Sequence, residues 1–198
     1  MRKRDYRQNC GVARAADIVG ERWTLLIVRD LLIAPRRFSE LERRMKGMGT
    51  NLLAKRLREM RESGLVSDGP SYALTEMGQA LEPVVLTLAK WSLKWQVGPS
   101  NPDGLHFPDW DLLALKALFV PDRERLTPIT ACFTTDEWSG WVQVEASRCT
   151  FGVNDTPEPP DVTFACLIGE LANPASVVAR LPKKEQGTAR DFIGAFRL

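Results

Sequence analysis

Val12, Ala15, Ala16 and Val19 recur at i, i+3, i+4 and i+7, the spacing of an amphipathic helix, and Gly20 behind them suits a left-handed cap. From about Arg22 to Ala34 the apolar positions Trp23, Leu25, Leu26, Ile27, Val28, Leu31, Leu32 and Ile33 run nearly all the way round. That pattern predicts a helix buried on more than one side and ending before Pro35. Ser39 and Glu42 have the spacing of a capping box and predict a short helix to about Met45. Lys46-Gly47-Met48-Gly49 reads as a tight turn. The next helix spans about Thr50 to Ser63, with Leu53, Leu57 and Met60 facing inward and Gly64-Leu65 as its C-terminal cap. Val66 to Leu74 then predicts two very short strands around Asp68-Gly69. Thr75 caps a long helix to about Val97, with Leu81, Val84, Val85, Leu88, Trp91 and Trp95 on one face. Pro83 either kinks this helix or lies in its first turns.

Residues 98–108 are rich in Gly and Pro and separate two kinds of pattern. After a helix over Trp110 to Val120, apolar residues alternate with a period of two: Ala131/Phe133, Val142/Val144, Cys149/Phe151/Val153 and Val162/Phe164/Cys166. Four strands with short turns predict an antiparallel sheet with one covered face. Helices over Pro174 to Leu181 and Thr188 to Phe196 close the chain. The fold class expected is thus an α-rich helix-turn-helix domain with a short hairpin, residues 1–98, followed by a smaller α+β domain, residues 109–198.

Charge sharpens the division. Residues 1–98 carry 18 Lys/Arg against 11 Asp/Glu, whereas residues 99–198 carry 9 against 14. A basic module joined to an acidic one points to nucleic acid as the partner of the first. The chain of 198 residues is 44% hydrophobic and has no apolar run long enough for a membrane span or a secretory signal. Its four cysteines are widely spaced, without a CxxC pair, which argues against zinc and against a disulfide scaffold. The expectation is a cytoplasmic protein with reduced thiols, no cofactor and no metal. His106 is the only histidine, so histidine-based triads and HExxH sites are excluded, and no phosphate-cradling Gly loop occurs. An enzyme is therefore not expected.

The helix from Thr50 carries the candidate chemistry. With Leu53, Leu57 and Met60 inward, Thr50, Asn51, Ala54, Lys55, Arg58 and Arg61 face outward. Asn reads adenine and Lys or Arg reads guanine, while small Thr and Ala let a helix approach thymine methyls. Thr50, Asn51 and Lys55 are assigned to base edges, and Arg58 and Arg61 mainly to phosphates. Arg36, Arg37 and Arg44 flank the preceding helix, whose N-terminus at Ser39 offers backbone donors to a phosphate.

The runs Cys10 to Leu31, Arg37-Phe-Ser-Glu-Leu41, Asn51 to Val66 and Leu74-Thr-Glu-Met-Gly78 together resemble the HxlR family of winged-helix regulators over residues 8–97. The resemblance implies a homodimer held by the N-terminal and final helices of the domain, with Trp91 and Trp95 near the dimer contact. It also implies binding to pseudo-palindromic double-stranded DNA in transcription regulation, more as a repressor. The sequence departs from the family in its wing, where Ser67 to Ser71 contain no basic residue. Cys10 stands where some members carry a redox-sensing thiol; the alternative is a small packed side chain. The second domain resembles the sterol-carrier-protein fold, which implies a site for a small apolar ligand. Phe133, Trp138, Trp141, Phe151 and Phe164 either border such a pocket or fill a core. The competing function is a lipid or small-molecule carrier whose winged helix makes protein contacts.

Overall fold

A computed structural model describes residues 5–67, 69–95, 104–122, 127–154, 159–166 and 168–197. The chain divides into two compact units, residues 1–85 and 86–198.

The first unit is built on α1 (Gly11–Val19), α2 (Thr24–Ile33), α3 (Phe38–Arg44), α4 (Thr50–Glu62) and the one-turn α5 (Glu76–Gln79). Ile27, Val28, Leu31, Leu41, Leu53, Leu57 and Met60 form its core with Met45, Met48, Leu65 and Val66. The inward stripe expected of α4 is therefore the buried one. The stripe expected of α1 is not: Ala13 is buried, whereas Val12 is 78% exposed and Ala15 also faces out. Apolar periodicity identifies a stripe but not whether the same chain covers it.

Local backbone chemistry explains most of the boundaries. Gly64 has φ +78°, and the cap of α4 is a Schellman motif, with Leu65 N–H donating to Met60 O at 2.9 Å and Gly64 N–H to Arg61 O at 2.9 Å. Thr75 ties this cap to α5: its hydroxyl donates to Gly64 O at 2.6 Å and accepts from Gly78 N–H at 3.2 Å. Gly64→Ala places a β-carbon in the left-handed region, with only the Met77 sulfur within 4 Å. It is expected to destabilise the unit by about 1–2 kcal/mol through backbone strain alone. A denaturant midpoint unchanged in the variant would refute that assignment.

Two expectations for glycine and capping are corrected. Gly20 is right-handed, φ −74°; glycine is needed there because a β-carbon would sit 2.5 Å from Ala16 O. The left-handed residue is Trp23, φ 82°, just before α2. The capping box is shifted as well. The helix starts at Phe38, and Glu40 accepts from Arg37 N–H at 2.7 Å, so Ser39 lies inside the first turn and Glu42 is free to serve another purpose.

The hairpin after α4 is minimal, with a bridge between Val66 and Leu74. A second bridge joins Arg36 to Tyr72, so the segment before α3 runs beside the hairpin. Asp68 of the expected turn lies outside the described residues. The long helix expected from Thr75 is two elements, α5 and α6 (Glu82–Trp95), and Pro83 is the second residue of α6, where a missing N–H costs little. Only Val85 of α6 is buried; Val84, Leu88, Trp91 and Trp95 form an exposed apolar stripe at i, i+4, i+7 and i+11. Val97 lies outside the described residues.

The second unit contains α7 (Trp110–Leu118), β1 (Ile129–Thr134), β2 (Ser139–Val144), β3 (Cys149–Val153), β4 (Val162–Phe164), a 3-10 turn (Ile168–Ala172), α8 (Pro174–Ala179) and α9 (Gln186–Ile193). The strand order is β3-β2-β1-β4. The sheet is mixed, not purely antiparallel. β1 pairs β2 antiparallel but β4 parallel, Ala131 opposite Val162 and Phe133 opposite Phe164. The reason is topological: β4 returns to the far side of β1 instead of continuing the meander beyond β3. Period-two alternation fixes which residues face inward but is the same for either pairing direction.

Candidate nucleic-acid interface

α3, the turn at Lys46–Gly49 and α4 form the helix-turn-helix, and Gly47 at φ +90° permits the reversal while Met48 is buried beneath it. Glu42, released from the expected capping role, accepts from the Thr50 hydroxyl and so links α3 to the first residue of α4. The outer face of α4 presents Thr50, Asn51, Ala54 and Arg58 to solvent and leaves Lys55 half-exposed. Leu52 joins them at 40% exposure. The outward set expected from the sequence omits Leu52, although the inward stripe of Leu53, Leu57 and Met60 already leaves it outside the core. An exposed leucine in the first turn offers an apolar contact of the kind a thymine methyl accepts.

The basic candidates separate into three groups. Arg37 and Arg58 are exposed. Arg36 and Arg61 are half-buried and linked through the hairpin: the Arg61 guanidinium lies 5.4 Å from the Tyr72 ring centroid, and Arg36 N–H donates to Tyr72 O at 2.9 Å. Arg44 is the exception and corrects the expectation. It is buried, and its Nε donates to Asp30 Oδ1, while Arg29 reaches Asp30 Oδ2 at 2.8 Å. Asp30 is wholly buried on the crowded face of α2, so a carboxylate there requires a cation, and Arg44 supplies it. The charge of Arg44 is spent inside the fold and does not face a phosphate.

The start of α3 is also changed by the shifted cap. Ser39 is exposed, but the Glu40 carboxylate occupies the first turn, which opposes a phosphate at that helix end. One cation escaped the sequence reading. Arg56 of α4 is 8% exposed and holds Glu21 at 3.0 Å through Nη2 and Glu59 at 2.6 Å through Nη1. Its spacing of three and four residues from Leu53 and Met60 marks it as inward-facing, and an inward arginine implies acidic partners at its guanidinium.

Cys10 is exposed at the N-cap of α1. The backbone N–H groups of Ala13 and Val12 pull its thiol below the ordinary cysteine value by hydrogen bonding to the thiolate.

In the second unit the five aromatic candidates do not form one lining. Phe133 and Phe164 are fully buried and stacked, ring centroids 5.1 Å apart, with Phe192 against both and Phe196 against Phe192. Trp138 packs on that core over Gly140, where a β-carbon would be 2.6 Å from its ring. Phe151 is partly buried beside the Lys116 ammonium, which stands 5.5 Å from its ring centroid. Trp141 points to the opposite face of the sheet, over Gly152 and across from Cys132. Cys149 and Cys166 sit in the core as their phase predicts, whereas Cys132 is buried on the Trp141 side and burial pushes its thiol up.

The HxlR-like helix-turn-helix family model matches residues 18–98. The uncharacterized HTH-type transcriptional regulator YvaP of Bacillus subtilis is 36% identical over 98 residues, 46% of this chain and 90% of that protein. The uncharacterized HTH-type transcriptional regulator Rv3095 of Mycobacterium tuberculosis is 37% identical over 99 residues, 46% of this chain and 62% of that protein. Among solved structures, the quinone-bound YodB from B. subtilis is 31% identical, with 43% of this chain and 98% of that chain covered and a TM-score of 0.41. No described helix is long and apolar enough to cross a membrane.

Proposed function

The chain belongs to the HxlR-like helix-turn-helix family of DNA-binding transcriptional regulators, and we propose that it acts as a homodimeric, sequence-specific repressor. The observation that carries this reading is the outer face of α4, where Thr50, Asn51 and Lys55 follow one another along the side turned away from the core. They contact base edges in the major groove, and Arg58, Arg61, Arg36 and Arg37 contact phosphates. Two observations support the dimer: the apolar stripe of α6 with Trp95 at 63% exposure, and exposed Val12 on α1. Each leaves apolar surface that a second copy would cover. A two-fold dimer binds a pseudo-palindrome, with half-sites about 34 Å or a multiple apart.

The test is fluorescence anisotropy with duplexes selected by the protein from random DNA, at several salt concentrations and against scrambled competitor. Selective binding that weakens steeply with salt is expected, each neutralised phosphate contributing about −0.9 to the logarithmic slope. Binding that ignores sequence after such selection would remove the regulator reading and favour the carrier.

We assign control of the DNA complex to Cys10, because its thiol is exposed at a helix N-terminus where backbone N–H groups favour the thiolate, the form that reacts with oxidants. Its alkylation rate should reach half-maximum at a lower pH than that of a free cysteine. A mild oxidant should release bound DNA from the wild type and not from Cys10→Ser; equal release from both would end the assignment. A small apolar effector in the second unit is the alternative, in keeping with its resemblance to the sterol-carrier-protein fold. Trp138 favours it, since its Nε1–H is buried without an acceptor. Such an effector would release DNA from Cys10→Ser but lose potency against Trp138→Phe.

A further inference from the structure

Four alternating charges run from the turn between α1 and α2 to the outer face of α4. Glu21 Oε2 lies 3.0 Å from Arg56 Nη2, Arg56 Nη1 lies 2.6 Å from Glu59 Oε2, and Glu59 Oε1 lies 3.7 Å from Lys55 Nζ. The two carboxylate oxygens of Glu59 thus serve different cations, one buried and one facing out. An exposed Lys–Glu pair at i,i+4 with Lys first is the weaker orientation and would by itself hold little. Here the carboxylate does not swing freely, because Arg56 is buried and is fixed in turn by Glu21.

We propose that Glu59 is a specificity-determining residue that positions Lys55 for base reading and withholds it from the DNA backbone; this inference rests on the regulator reading above. Lysine is a point charge on a flexible stem, and beside DNA it would pair with the nearest phosphate, a contact that carries no sequence information. A phosphate can take Lys55 only by coming close to the Glu59 carboxylate, which brings two negative groups together. A guanine edge offers O6 and N7 acceptors without net charge, so it can share the ammonium with Glu59. The chain of charges therefore favours the base over the backbone as the partner of Lys55. Glu21 and Arg56 act behind it, by holding Glu59 in place.

The experiment compares the wild type, Glu59→Gln, Lys55→Met and the double variant on the selected duplex and on a scrambled duplex of the same composition. Glu59 is 40% exposed in its side chain, so the glutamine variant should fold. Glu59→Gln should tighten binding to the scrambled duplex several-fold and steepen its salt slope by up to about 0.9, as one more phosphate is neutralised. The ratio of selected to scrambled affinity should fall about tenfold. In the Lys55→Met background the same substitution should change neither quantity by more than about twofold, since a position acting only through its neighbour shows no effect once the neighbour is gone. A purely structural Glu59 would lower the denaturation midpoint in both backgrounds and leave the slope alone. The inference is overturned if Glu59→Gln keeps the wild-type ratio and slope, or if the shift persists without Lys55. If the wild type selects no sequence, the regulator reading falls and this inference with it; a selective wild type with a neutral Glu59→Gln removes this inference only.

Discussion

Arg44→Met should lower the stability of the first unit by about 3 kcal/mol or more while leaving the salt slope of DNA binding unchanged. The loss comes from Asp30. This carboxylate is fully buried, and Arg44 occupies one of its oxygens while the more exposed Arg29 occupies the other. Methionine matches the arginine stem in shape, so the substitution removes the charge and its hydrogen bond and opens little space. Asp30 then loses the cation that meets its Oδ1, in a site where water cannot take its place. Replacing both residues at once, Asp30→Leu with Arg44→Met, should recover most of the loss, because an apolar pair of similar volume commonly matches a buried ion pair. Amide exchange along α3 and α4 would follow the unit specifically. An arginine facing a phosphate behaves in the opposite way: stability is kept and the slope falls by about 0.9. That second pattern would return Arg44 to the interface.

The contrast between Arg44 and Arg58 shows what periodicity could and could not convey. Leu53, Leu57 and Met60 fixed the phase of α4, and every residue placed outward by that phase is exposed or half-exposed. α3 is seven residues long and has only Leu41 as a buried apolar marker, which is too short a stripe to phase its arginines. Arg44 turned inward because Asp30 lies on the neighbouring helix, a partner fourteen residues away that no local pattern announces. The cap of α3 failed for a related reason. Ser39/Glu42 and Arg37/Glu40 have equal spacing, and the backbone bridge from Arg36 to Tyr72 fixes the chain just ahead of Phe38. In the second unit the inward residues of all four strands were legible from alternation, and the core holds them. The parallel placement of β4 against β1 was not, since pairing direction leaves no mark in a period of two. Trp141 shares residue type with Phe133 but not its phase, since its neighbours Gly140 and Val142 are the ones that point inward.

Asn51→Ala with Lys55→Ala should bring affinity for the selected duplex close to that for a scrambled one, while affinity for the scrambled duplex changes little. Asn51 is exposed and Lys55 is four residues further on, so both lie over one strip of the groove when the first turns of α4 enter it. Each specific base contact is worth about 1–3 kcal/mol, and 1.4 kcal/mol is a tenfold change. The pair together should therefore cost at least about thirtyfold in selectivity. Neither side chain belongs to the core, and the Lys55–Glu59 pair is solvent-facing, so the denaturation midpoint should stay near that of the wild type. Arg58→Ala is the matched control: it should weaken both duplexes alike and reduce the salt slope by about 0.9. The two outcomes separate reading from holding on a single helix. Should the double variant lose affinity for both duplexes equally, Asn51 and Lys55 would be backbone ligands, and base recognition would have to lie elsewhere, with Thr50 and Leu52 the next side chains to replace.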